Sequence, residues 1–63
     1  MLNNAEIKRL ARYKCGSLEV FAKELGLTRQ SVSNKLNGRQ NWTHEDITKA
    51  VDILGRDVLN YFF

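Results

Sequence analysis

The sequence predicts an all-α fold: a compact bundle of four to five short helices in a single domain covering residues 1–63. Three observations lead there. Apolar residues recur at helical spacing along the chain, as in Leu18, Phe21, Ala22 and Leu25 at i, i+3, i+4 and i+7. Glycines stand where those stripes stop, at Gly16, Gly26, Gly38 and Gly55, and a glycine takes the left-handed backbone of a helix end at little cost. Residues that cap helix N-termini (Asn3, Ser17, Thr28 and Thr43) open the segments. The spacing places helices at about 3–14, 18–25, 29–37, 44–54 and 57–62.

The first helix has Asn3 followed three residues later by Glu6, the pattern of a capping box, and an inward stripe of Ile7, Leu10 and Ala11. Tyr13 is assigned to packing. Lys8, Arg9, Arg12 and Lys14 crowd its other side and its C-terminal half. Cations there suit the helix dipole without any ligand, and they equally suit a neighbouring sugar–phosphate backbone; both readings stay open. The second helix, 18–25, carries its apolar stripe straight into Gly26, and Leu27 is placed as a plug between it and the next helix.

The third helix, 29–37, decides the functional reading. Val32 and Leu36 are four apart and point inward, which leaves Gln30, Asn34 and Asn37 outward, with Arg29 at the first turn and Ser33 and Lys35 flanking. No Asp or Glu occurs between Thr28 and Gly38. An ordinary solvated helix mixes Glu with Lys for solubility and i,i+4 pairing. An acid-free face with several amides suits a phosphate-lined groove, where an amide matches N6 and N7 of adenine and Arg matches O6 and N7 of guanine. Beyond Gly38, Arg39-Gln40-Asn41-Trp42 forms a polar loop closed by an aromatic. Arg39 and Gln40 leave the helix within reach of the same groove, and Trp42 is assigned to packing near Ile47.

The fourth helix is capped by Thr43, with Glu45 and Asp46 in its first turn as solvated carboxylates that favour the dipole. Ile47, Ala50, Val51 and Leu54 face inward. Glu19 and Asp52 are read as surface acids on the side turned away from nucleic acid. In 57–62, Asp57 is expected to cap a short helix, and four of the last five residues are large and apolar. Leu59 and Phe62 fold inward in this reading, while Val58, Tyr61 and Phe63 form a two-fold interface, so that 56–63 serves as a dimerisation segment.

These residues carry a resemblance. FAKELGLTRQSVSNKLNG is similar to the helix-turn-helix of the phage repressor and Cro family (Cro/C1-type, lambda-repressor-like), through Ala22, Gly26, the Thr28 cap, inward Val32 and the Asn37-Gly38 close. The likeness continues through KLNGRQNWTHEDITKAVDILG, and the Tyr61-Phe62-Phe63 ending resembles small regulators of phages of Gram-positive hosts. Lys35 departs from it, occupying a position often apolar in that family. The resemblance implies a double-stranded DNA-binding transcriptional repressor that acts as a homodimer on a pseudo-palindromic operator. Base contacts would fall to Arg29, Gln30, Asn34 and Gln40, and backbone contacts to Thr28, Ser33, Lys35, Asn37 and Arg39. The absence of an effector or cleavage domain points to a Cro-like protein or an isolated N-terminal domain. An antirepressor or antitoxin-like module that binds a partner repressor protein is the alternative.

Composition closes off other classes. At 63 residues only ~60% of the unfolded surface is buried, so the core is small and a partner is expected to add stability. Hydrophobic residues at 43% argue against disorder, and the net charge of +3 is a mild excess whose distribution matters more than its sum. No apolar run approaches 18 residues and no signal peptide is evident, so a cytoplasmic location without membrane contact is expected. One cysteine cannot form an internal disulfide. Cys15 with the lone His44 lacks a third orienting group for catalysis, and His44-Glu45-Asp46 point in different directions from a helix. Neither an enzyme, a cofactor nor a metal is expected.

Overall fold

The computed structural model describes residues 2–63. Its α-helices are α1 (Asn4–Cys15), α2 (Leu18–Leu25), α3 (Arg29–Leu36), α4 (His44–Leu54) and α5 (Leu59–Phe62), with a 3₁₀ turn at Arg56–Val58. No strand occurs among the described residues. The fold is therefore all-α, with five α-helices as the apolar spacing predicts.

Helix α2 is the centre of the packing. Its stripe of Leu18, Phe21, Ala22 and Leu25 is buried in full, with Phe21 at 0% exposure, and α2 packs against α1, α3 and α4. Ile7 and Ala11 approach from α1, Val32 from α3, Ala50 and Leu54 from α4, and Val58 and Phe62 from the C-terminal segment. Burying a side chain the size of Phe21 contributes about 2–3 kcal/mol, so this helix anchors the others. The Cα radius of gyration, 10.0 Å, is close to the roughly 11 Å expected of a globular chain of this length. Among the described residues no helix is long and apolar enough to cross a membrane.

Several expectations are corrected locally. In α1 the Glu6 N–H donates to Asn3 Oδ1 at 3.2 Å, but the Glu6 carboxylate turns to Arg9 at 2.8 Å. The Asn3 N–H donates to the Tyr61 carbonyl instead, at 2.6 Å, so half of the capping box is replaced by a link between the two ends of the chain. Tyr13 is 80% exposed and does not pack. The last segment opens with a 3₁₀ turn that has no side-chain cap, rather than an Asp57-capped helix. Val58 is 0% exposed, so it is a core residue and not part of an interface. Tyr61 is half-buried; Phe63 is 71% exposed.

Candidate nucleic-acid interface

Helix α3 is held out from the bundle by two glycine-ended turns. At the end of α2, Gly26 has φ 76°, its N–H donates to the Lys23 carbonyl at 3.1 Å, and the Leu27 N–H donates to the Ala22 carbonyl at 2.9 Å. That pair of bonds is a Schellman motif, and half-buried Leu27 packs against the core beneath it. The same pattern closes α3. Gly38 has φ 80°, its N–H reaches the Lys35 carbonyl at 3.2 Å, and the Arg39 N–H reaches the Asn34 carbonyl at 2.8 Å. Between the turns, Thr28 Oγ1 accepts from the Ser31 N–H at 3.1 Å and caps α3.

With Val32 fixed at 0% exposure, the opposite face of α3 is set. Arg29, Gln30 and Asn37 are exposed, and Ser33 and Asn34 are half-buried. Gln30 Nε2 donates to Asn34 Oδ1 at 3.1 Å, and Asn37 Nδ2 donates to Ser33 Oγ at 3.4 Å. The Gln30–Asn34 bond uses one amide proton of Gln30 and leaves its carbonyl oxygen, its second proton and the Asn34 NH₂ without a hydrogen bond among the described residues. Those are the donor and acceptor groups that match a purine edge. Arg39 and Gln40 are exposed just beyond the helix, so the residues assigned to base contact (Arg29, Gln30, Asn34 and Gln40) lie along α3 and its exit. Thr28, Ser33, Asn37 and Arg39, assigned to phosphates, lie on the same two turns; Thr28 Oγ1 and Ser33 Oγ are engaged within the helix.

Lys35 is the exception. Its side chain is 9% exposed, and its ammonium pairs with Asp46 Oδ2 at 2.5 Å and donates to the Asn41 carbonyl at 3.1 Å. It therefore cannot hold a phosphate, which corrects that assignment. The reason is geometric: Lys35 follows Val32 by three residues and shares its inward side. Asp46 is correspondingly not a solvated cap residue but is 7% exposed. Burial alone would raise its carboxyl, yet the Lys35 ammonium and the Thr43 backbone and side chain outweigh that and hold it below the usual range. Asp46 completes a capping box with Thr43, accepting the Thr43 N–H at 3.0 Å. Trp42 packs as expected, edge-on to Phe62 at 5.3 Å between ring centroids, but its indole N–H donates to Asn4 Oδ1 at 2.9 Å rather than facing outward.

The charge around the face is mixed at one end. Arg12 and Arg29 border one depression at the start of α2, where Glu19 also lies, so Glu19 sits beside this face and not on a remote side. Lys14 lies elsewhere, near Glu24 and Asp52. Arg12, on α1, is placed beside Arg29 of α3. Cys15 is partly buried, and burial together with Glu24 pushes its thiol up. Ile47, Val51, Leu59 and Phe63, together with His44, Thr48 and Asp52, line a further depression, whereas the sequence pattern turns Ile47, Val51 and Leu59 inward.

No curated protein matches the chain. The family model described as "Protein of unknown function (DUF739)" matches residues 7–63, nearly the whole sequence, and the chain belongs to that family.

Proposed function

We propose that the chain is a sequence-specific double-stranded DNA-binding regulator of helix-turn-helix type, working in the manner of Cro-like and C1-like phage repressors. One observation carries this reading: an acid-free helix, exposed along Arg29, Gln30 and Asn37 with half-buried Asn34 beside them, stands on two glycine-closed turns and carries amide groups not fully used within the helix. In this reading α3 enters the major groove. Arg29, Gln30, Asn34 and Gln40 read base edges, while Ser33, Asn37, Arg39 and the start of α3 at Thr28 meet the sugar–phosphate backbone. Arg12, beside Arg29, adds a cation to the backbone-facing rim.

Two copies are required to read a pseudo-palindromic operator, with half-sites about 34 Å apart. The depression lined by Ile47, Val51, Leu59 and Phe63 takes the place of the interface drawn through Val58 from the sequence. Occupation of a promoter by such a dimer in the cytoplasm of a bacterial host represses transcription.

The test is the salt dependence of duplex binding. Each neutralised phosphate adds about −0.9 to the log–log slope of affinity against salt. Asn34→Ala is expected to cost about 1–3 kcal/mol against the cognate base pair and little against others. A tight complex with a repressor protein, together with no duplex binding at low salt, replaces this reading with that of an antirepressor.

A further inference from the structure

We propose that Lys35 is a positioning residue: with Asp46 it clamps the 38–42 loop so that Arg39 and Gln40 are presented beside the exposed face of α3. The consequence for DNA rests on the function proposed above; the clamp itself does not.

The loop is fixed at both ends by different means. At its start the Asn34 carbonyl accepts the N–H groups of Arg39 at 2.8 Å and Gln40 at 3.3 Å. At its far end no backbone bond returns to α3. There the Lys35 ammonium crosses to the Asn41 carbonyl at 3.1 Å and to Asp46, 11 residues away in sequence, at 2.5 Å. The same ammonium lies 5.8 Å from the Trp42 ring centroid, and Trp42 is itself held by Asn4 and Phe62. Asp46 in turn accepts from the Thr43 N–H at 3.0 Å, so one carboxylate joins the loop end, the α4 cap and α3. An apolar residue at 35 would fill the same space under α3 but would leave the Asn41 carbonyl without its donor. A lysine spends its charge here on loop geometry, since Asp46 neutralises it before any phosphate is met.

The experiment compares the full wild-type chain with Lys35→Met and with Lys35→Met/Asp46→Asn. The double variant leaves no unpaired charge and keeps an acceptor for the Thr43 N–H, so it serves where the single variant does not fold. Backbone ¹⁵N order parameters are measured in the free proteins, and binding is measured to a duplex that the wild type selects from a random pool. The clamp predicts order parameters at Arg39, Gln40 and Asn41 falling from rigid values of about 0.85 to below about 0.6. It also predicts roughly tenfold weaker binding, with a salt slope smaller by at most about 0.9 as the Arg39 phosphate contact loosens. Unchanged loop order overturns the proposal, as does unchanged affinity with a mobile loop. A slope smaller by about 0.9 with a rigid loop identifies a direct phosphate contact and overturns it too. Failure of the wild type to bind any duplex sinks the DNA reading, and the order parameters then decide the clamp alone.

Discussion

The two connections on either side of α3 solve the same problem in opposite ways. The turn from α2 into α3 is closed by backbone bonds within a few residues, at Gly26 and Leu27, with an apolar plug and a Thr28 cap. The connection from α3 to α4 begins with the same backbone pattern at Gly38 but is completed by a buried ion pair between residues 35 and 46. The first rests mainly on local backbone bonds and an apolar plug, with one added bond from the Lys49 ammonium to the Leu25 carbonyl at 3.4 Å, so it is the less sensitive of the two to pH and salt. The second depends on charge and on two helices meeting, so it is the more conditional of the two.

Breaking the second connection gives the largest effect. Lys35→Met strands Asp46 at 7% exposure, and an unpaired carboxylate there is expected to lower stability by about 3 kcal/mol in urea unfolding. Lys35→Met/Asp46→Asn recovers much of that loss, which separates the penalty of a stranded charge from the contribution of the pair. Breaking the first connection costs less. Gly26→Ala places a side chain at φ 76°, where its Cβ makes ordinary contact with the Lys49 ammonium at 3.8 Å but the backbone is unfavourable, for about 1–2 kcal/mol. Removing the Thr28 cap by Thr28→Ala costs about 1 kcal/mol, measured the same way.

Acidity sharpens the contrast further. The folded Asp46 carboxyl lies below its ordinary value of 3.8, so the pair's contribution is complete at neutral pH. It declines as pH falls past 3.8 and is gone once the folded carboxyl is protonated. Wild type is therefore expected to lose its advantage over Lys35→Met/Asp46→Asn in acid, whereas its advantage over Gly26→Ala stays level. Parallel denaturation curves from pH 7 to pH 2 check this.

The same division explains what the sequence made legible. The helices, the four side-chain caps at Asn3, Ser17, Thr28 and Thr43 and the Gly26 turn follow from neighbours a few residues apart, and α2's stripe is buried as its spacing predicts. The exposed side of α3 follows as soon as Val32 is turned inward. What the sequence hides is long-range: Lys35 meeting Asp46, Trp42 reaching Asn4, and Asn3 bonding Tyr61. A trace of the first was present, since Lys35 and Leu36 follow Val32 at i+3 and i+4, the spacing of an inward stripe. A lysine there reads as solvated until its partner on another helix is known. Val58 misled for a similar reason, because a tail rich in large apolar residues does not reveal which of them the core takes.

The measurement that bears most directly on the central claim is selection of duplexes from a random pool by the wild-type chain at low salt. Enrichment of a two-fold-related site, with half-sites about 10 base pairs apart and Asn34→Ala relaxing the preference at one position in each half, is the predicted result. A pool that stays random, or a preference that survives unaltered when both Gln30 and Asn34 are replaced by alanine, contradicts it.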